Sequence, residues 1–252
     1  MSGYGDFAEF YDRLTDNVDY REIAHYYDRL IKRFGGKSGG ILLDLACGTG
    51  SLSVLFKELG YDVVGVDASD EMLSKAMEKP HDGIQYVKGT MQELVLYGCC
   101  DVTVCSLDSI NHLESCVEIE QTFKRVNMFT ETGGLFLFDF NTPYKHEFVL
   151  GNEAFLFDLE GLFCAWQNEF EGGADCRVNM YLDFFSENNG RYDRFSDFLS
   201  EISYKTEQIK QMLSDSGFEI LAVFDYLTEN QPSRDSEKLA FVCKKVKEKQ
   251  NG

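Results

Sequence analysis

The sequence predicts an α/β fold: a sheet with helices on both faces and an antiparallel β insert after its fifth strand. Three observations carry this. Short apolar runs alternate with helically spaced apolar residues from Ile41 to Phe138. A small, Gly-rich turn follows the first of those runs. From about Lys145 to Tyr204 the pattern changes to period two, punctuated by Gly172-Gly173 and Asn189-Gly190.

The stretch from Ile41 to Asp67 organises the rest. Ile41 to Leu45 is an apolar run of the kind that fills a strand buried on both faces, broken only by Asp44. Ala46-Cys47-Gly48-Thr49-Gly50 is a turn without bulk. Leu52, Leu55, Phe56 and Leu59 then recur at helical spacing until Gly60, and Val63 to Val66 forms a second strand ending in Asp67. This is the front half of a nucleotide-binding unit. Its backbone N–H groups can approach a ligand, and Asp67 can accept from both hydroxyls of a ribose. Gly48 and Gly50 are both expected to keep side chains out of the ligand's approach. A dinucleotide fingerprint asks for a third Gly, and the two candidate places hold Ser51 and Ser53. A nicotinamide-dependent oxidoreductase is therefore the weaker reading.

The remaining elements follow in order. Tyr4, Phe10, Tyr11 and Leu14 open an aromatic-rich region, and a helix runs from Asp19-Tyr20 to about Phe34. Tyr11 and Tyr20 either pack this region onto the sheet or touch ligand. Ser69 is placed to cap a helix carrying Met72, Leu73, Ala76 and Met77, which breaks at Pro80. Ile84 to Lys88 is a third strand and Asp101 to Cys105 a fourth. The polar loop Ser106 to Leu113 then lies at the carboxyl edge of the sheet, where open α/β sheets bind ligands. A helix from about Val117 to Phe129 leads to the fifth strand, Leu135 to Phe138. Phe163 to Phe170, Arg177 to Phe185 and Arg191 to Leu199 read as a three-stranded meander covering the cleft. Its aromatics, Trp166 among them, form either its own core or a substrate wall. Thr206 is expected to cap a helix to about Ser216, and strands over Phe218 to Tyr226 and Leu239 to Val246 end the chain. The units are thus 1–144 and 205–252 for the core and 145–204 for the lid.

Asp44-x-Ala46-x-Gly48-x-Gly50, set in LLDLACGTG and followed by GYDVVGVDASDEMLSKA, resembles the glycine-rich motif of class I S-adenosylmethionine-dependent methyltransferases, in their small bacterial branch. The resemblance covers about residues 4–145, and the later part agrees in layout. It implies a Rossmann-like sheet, S-adenosyl-L-methionine as cofactor, and in-line transfer of its methyl to a small-molecule acceptor. The cofactor contacts it implies are Tyr11, Tyr20, Asp44, Ala46, Cys47, Gly48, Gly50, Asp67, Ala68, Met72, Thr90, Met91, Gln92 and Leu107. The family usually has an acidic residue where Thr90 stands. Its loop after the fourth strand faces the transferred methyl, which makes Asp108, Ser109, Asn111 and His112 the catalytic candidates, with His112 and Asp108 foremost. His112 can serve as a base or bond within the loop. Asp108 can equally cap the following helix. A silent cofactor sensor, or an enzyme acting on RNA or protein, are the alternatives.

Composition agrees. The 252 residues are 44% hydrophobic and 27% charged, proportions ordinary for a globular chain. The formal net charge of −19 repels polyanions and argues against nucleic acid as substrate. The basic tail Lys244-Lys245-x-Lys247 reads as a solvated end. Eight Cys without disulfide spacing and four His without C-x-x-C support neither a secreted framework nor a metal site. With no signal-like or membrane-length segment, a cytoplasmic protein is expected. The lid's second face needs cover, which a homodimer would supply.

Overall fold

The computed structural model describes residues 5–79 and 82–246. Tyr4, Pro80 and Lys247 lie outside them. The chain opens with α1 (Gly5–Leu14) and α2 (Tyr20–Arg33), then runs β1 (Ile41–Leu45), α3 (Ser51–Glu58), β2 (Asp62–Asp67), α4 (Asp70–Glu78) and β3 (Gln85–Lys88). Next come β4 (Cys100–Cys105), a 3-10 turn (Ser109–His112), α5 (Cys116–Phe129) and β5 (Thr130–Asn141). A π-helical turn (Lys145–Leu150) leads into β6 (Ala154–Leu159), β7 (Leu162–Gly172), β8 (Arg177–Asn188) and β9 (Arg191–Glu201). The last elements are α6 (Thr206–Asp215), β10 (Phe218–Asp225) and β11 (Lys238–Lys245).

The main sheet has seven strands in the order β10-β11-β5-β4-β1-β2-β3. β1 to β5 pair in parallel, while β11 runs antiparallel to β5 and β10 antiparallel to β11. Period-two alternation sends neighbouring side chains to opposite faces, which is why these strands are apolar throughout. Leu42, Leu135 and Leu137 pack with Ile31 and Phe56 of α2 and α3. Leu43, Phe136 and Phe138 pack with Phe123 and Leu213 of α5 and α6. Phe138 stacks on Phe241 with ring centroids 4.8 Å apart, joining the antiparallel edge to the parallel core. β1 pairs with β2 on one side and β4 on the other, so the strand order reverses there and a crevice opens at their carboxyl ends.

The insert is a separate four-stranded antiparallel sheet, β6-β7-β8-β9. The expectation of three strands missed β6. Ala154–Leu159 alternates as a strand should, but its turn to β7 is Glu160-Gly161, without the Asn or Asp that marks a hairpin in sequence. The inner face of this sheet, Cys164, Met180, Leu182 and Phe184, shares a core with Phe10 of α1 and Met72 of α4. Phe10 stacks on Phe184 at 5.2 Å.

Local capping follows chemistry with one correction. Ser69 caps α4 by accepting from the Met72 N–H at 3.1 Å, and Ser115 caps α5. The cap of α6 is Lys205 and not Thr206, because the Lys205 N–H finds the Gln208 side chain at 3.1 Å. Lys245 of the basic tail lies in β11 and donates to the Thr130 carbonyl at 2.8 Å. Among the described residues no helix is long and apolar enough to cross a membrane.

Candidate functional site

The crevice at the carboxyl ends of β1 and β4 is walled by the glycine turn, by Tyr11 and Tyr20 from the N-terminal helices, and by Ser106, Leu107 and Ser109. Gly48 has φ +53° and a Cβ there would meet nothing within 4 Å, so its bare face borders open space. Gly50, at φ +73°, faces the other way: its Cβ would collide with the Tyr86 hydroxyl and approach Ala76 Cβ to 3.0 Å. The expectation that both glycines clear the ligand's approach is corrected here. Gly48 does, and Gly50 lets α3 pack against β3 and α4.

Two carboxylates anchor this edge. Asp67 at the end of β2 accepts from the Gly48 N–H at 2.8 Å through Oδ2 and from the Ser69 N–H at 2.9 Å through Oδ1. Burial raises its pKa, against the pull of those N–H groups. Each oxygen keeps a second lone pair, which is the capacity a ribose diol needs. Asp44 is 1% exposed and accepts from Ser53 Oγ at 2.5 Å. Burial pushes its pKa up to about 7, with the Ser53 bond opposing and Asp67 adding. A cation bound beside Asp44 must therefore draw off a proton below that pH. α1 is tied across the turn: Thr49 Oγ1 donates to Asp12 at 2.6 Å, and Lys79 Nζ reaches Asp12 and Thr49 at 2.8 Å each.

On the β4–β5 side the loop carrying Asp108 and His112 ends in a buried polar hub. Asp139 of β5 accepts the Leu107 and Asp108 N–H groups at 2.8 and 2.6 Å and the Tyr27 hydroxyl at 2.8 Å. It thereby stabilises the left-handed backbone of Leu107 and Asp108, at φ +56° and +53°. Asp108 makes no side-chain cap for the turn that follows it, which corrects the capping alternative. It takes Lys238 Nζ at 3.0 Å and Asn141 Nδ2 at 2.9 Å instead. Burial resists its ionisation, but Lys238, Lys145 and His112 outweigh that and hold the carboxyl below the usual range. Lys238 is raised in turn, because Asp108 and Asp139 outweigh its own burial. Glu201, at the end of β9, accepts from Asn141 Nδ2 at 2.8 Å and faces His146 Nε2 at 3.0 Å. The other His146 nitrogen is 2.7 Å from the Cys176 carbonyl. Burial and Asp108 disfavour the Glu201 carboxylate, yet His146 and His112 leave its pKa lowered. His146 thus sits between a backbone carbonyl and the Glu201 carboxylate, fully buried.

Asp108, His112 and Glu201 lie close enough for their ligand atoms to share a metal ion. The charges answer otherwise. Lys238 Nζ already lies 3.0 Å from Asp108, and His146 Nε2 lies 3.0 Å from Glu201, so both carboxylates a metal would use have partners within the protein.

A family model described as a methyltransferase domain matches residues 42–134. The Bacillus subtilis (strain 168) protein YqeM, a methyltransferase by name, is 32% identical over 247 residues, covering 97% of this chain and 98% of YqeM. The crystal structure of an S-adenosylmethionine-dependent methyltransferase from Clostridium acetobutylicum ATCC 824 matches at a TM-score of 0.85 and 30% identity, over 98% of this chain and 100% of that one. The chain belongs to the class I S-adenosylmethionine-dependent methyltransferases. The sugar N-methyltransferase KedS8 from Streptoalloteichus sp ATCC 53650 shares this methyltransferase fold at a TM-score of 0.78 and 20% identity, over 96% and 93% of the two chains.

The residues fit S-adenosylmethionine. Gly48 leaves room, Asp67 has lone pairs for a ribose, and Asp44 supplies a buried anion near a cationic ligand. Thr90 Oγ1 is buried without a hydrogen-bond partner, so it can accept from an adenine amino group where the family has a carboxylate. The structure brings Tyr11, Tyr20, Asp44, Ala46, Cys47, Gly48 and Leu107 to one crevice, with Asp67 bonded to its turn. Met91 packs its sulfur 3.8 Å from Cys105, and Gln92 is half-buried beside it. Ala68 is exposed. Met72 is not gathered there: it is buried between α1 and the lid. The sequence placed Asp139 and Asn141 at the ligand edge without a role, and missed His146, Glu201 and Lys238. Asp139 and Asn141, at the carboxyl end of β5, carried a local signal that the other three lacked.

The Asp44 pKa gives a signed expectation. Affinity for S-adenosylmethionine should be level above pH 7 and fall about tenfold per unit below it, since binding then requires Asp44 to lose its proton. The free protein has the opposite trend. Its folded-state pKa is raised, so the stability Asp44 contributes at low pH is lost as pH rises through about 7. Asp44→Asn should therefore raise the melting temperature at pH 8 while weakening cofactor binding. Titration calorimetry across pH 6–8 checks the first part and thermal melts the second.

Proposed function

We propose that this methyltransferase methylates a small-molecule acceptor at the carboxyl edge of β1 and β4, with His112 as general base. The observation that carries this reading is the meeting at one sheet edge of the glycine turn and the loop of Asp108 and His112. When bound, S-adenosylmethionine supplies a methyl on sulfur, to which the acceptor's lone pair bonds as the carbon–sulfur bond breaks and leaves its electrons on sulfur. The chain's own part is positioning and electrostatics. Asp44 and Asp67 hold the donor, and α1, tied by Thr49, Asp12 and Lys79, covers the turn and excludes water. Asp108, held ionised by Lys238, is a poor base, which leaves His112 to take a proton from an acceptor that arrives protonated. The net charge of −19 disfavours RNA, and the likeness to KedS8 supports a small acceptor. The lid's outer face exposes Leu156, Tyr181 and Phe198, which supports the homodimer reading.

Labelled S-adenosylmethionine offered with a panel of small amines, alcohols, thiols and carboxylates tests this. Label should enter a small molecule. Label in RNA or protein would replace the acceptor class, and binding without transfer to any of them would make the chain a sensor.

A further inference from the structure

Glu201 belongs to the lid, far in sequence from the loop it meets. It is 6% exposed, and one of its oxygens, Oε2, is committed to Asn141 and His146. The other, Oε1, lies 3.7 Å from His112 Nε2. This is a charge contact, longer than a formed hydrogen bond. We propose that Glu201 is the positioning residue for His112: its carboxylate keeps the ring proton on Nε2, so that Nδ1 carries the lone pair that receives the acceptor's proton. The inference rests on the methyltransferase reading with His112 as base, and deepens it.

The physical ground is the two-sidedness of imidazole. A neutral ring has one donor and one acceptor nitrogen, and the partner of one decides the role of the other. Toward a carboxylate, an N–H is attracted and a lone pair is repelled, so Nε2 holds the proton. When Nδ1 takes a second proton from the acceptor's nucleophilic atom, the ring becomes an imidazolium beside Oε1, and the pair of opposite charges forms where one charge stood before. Glu201 can fill this role because it is itself held. Asn141 Nδ2 bridges it to Asp108, and the buried His146 ring, 3.0 Å away through Nε2, fixes Oε2. The titratable groups facing the dyad are thus Asp108 on the loop of His112, Lys145 and His146 on the π-helical turn, and Lys238 on β11. Asp108 is balanced by Lys238 at 3.0 Å. A lid residue therefore sets the chemistry of a core residue, and seating the lid completes the base.

The test uses the full chain labelled with 15N-histidine, whose four imidazoles are separated by long-range proton–nitrogen spectra at neutral pH. His112→Gln identifies the His112 signals by their loss. The expected result is the Nε2–H pattern for His112 in the unsubstituted protein, without added acceptor. An Nδ1–H pattern would overturn the proposal, whatever the acceptor proves to be. In Glu201→Gln, kcat for the acceptor found with labelled donor should fall roughly tenfold or more, with KM and S-adenosylmethionine affinity unchanged. A wild-type kcat in that variant would equally overturn it. Failure of every acceptor would sink the enzymatic reading instead, and the tautomer measurement separates the two.

Discussion

Gly48→Val is expected to abolish S-adenosylmethionine binding while the protein stays folded. The residue has φ +53°, and the position of its missing Cβ borders open space in the cofactor crevice. A branched side chain there would fill that space. It would also strain a left-handed backbone by about 1–2 kcal/mol, a cost that a domain of this size withstands. Gly50→Val should behave differently. Its side chain would be driven into the Tyr86 hydroxyl and Ala76, so α3 loses its seat and the protein unfolds. Calorimetric titration paired with a thermal melt distinguishes the outcomes. Normal affinity in Gly48→Val would mean that the turn is not the cofactor's cradle.

Asp67→Ala should weaken cofactor binding on the order of a hundredfold. Two hydrogen bonds from ribose hydroxyls to a carboxylate are worth roughly 1.5 kcal/mol or more each, and ~3 kcal/mol is about two decades of affinity. The structure adds a second route to the same loss. Asp67 also accepts the Gly48 and Ser69 N–H groups, so its removal loosens the turn. A 2′-deoxyribose analogue separates the routes. Wild-type protein should bind it more weakly than S-adenosylmethionine, whereas Asp67→Ala should bind both alike, the signature of a direct contact in a double-mutant cycle. If Asp67→Ala still discriminated between the two, the ribose contact would belong elsewhere.

Both expectations concern residues that were legible before any coordinates. A buried strand, a turn without bulk, a helix and a second strand ending in Asp67 are local patterns. Each is fixed by side-chain size, backbone freedom and apolar spacing within a few residues. The same logic reached the first five strands, the polar loop holding Asp108 and His112, and the antiparallel character of the insert. It failed where the deciding contact was distant. The fourth lid strand has the right alternation but an unmarked turn. Gly48 and Gly50 look equivalent in sequence, and only the approach of Tyr86 and Ala76 to one of them assigns it to packing.

The side of the crevice that holds Asp108 and His112 depends on tertiary structure most of all. Lys238 meets Asp108 across 130 positions of sequence, and His146 meets Glu201 across 55. Nothing local announces either pairing. Asp108 read from the sequence is a loop carboxylate open to several roles. In the fold it is an anion fixed by a lysine from β11, two strands away in the sheet, which is the ground for proposing His112 as the base. The sequence by itself determined the strand–turn–helix–strand unit that carries the glycine motif, because that pattern is contiguous along the chain. Only the tertiary structure decided which groups stand ionised and which nitrogen faces which oxygen. Those depend on burial and on charges a few ångströms away in space, and neither is a property of neighbouring residues along the chain.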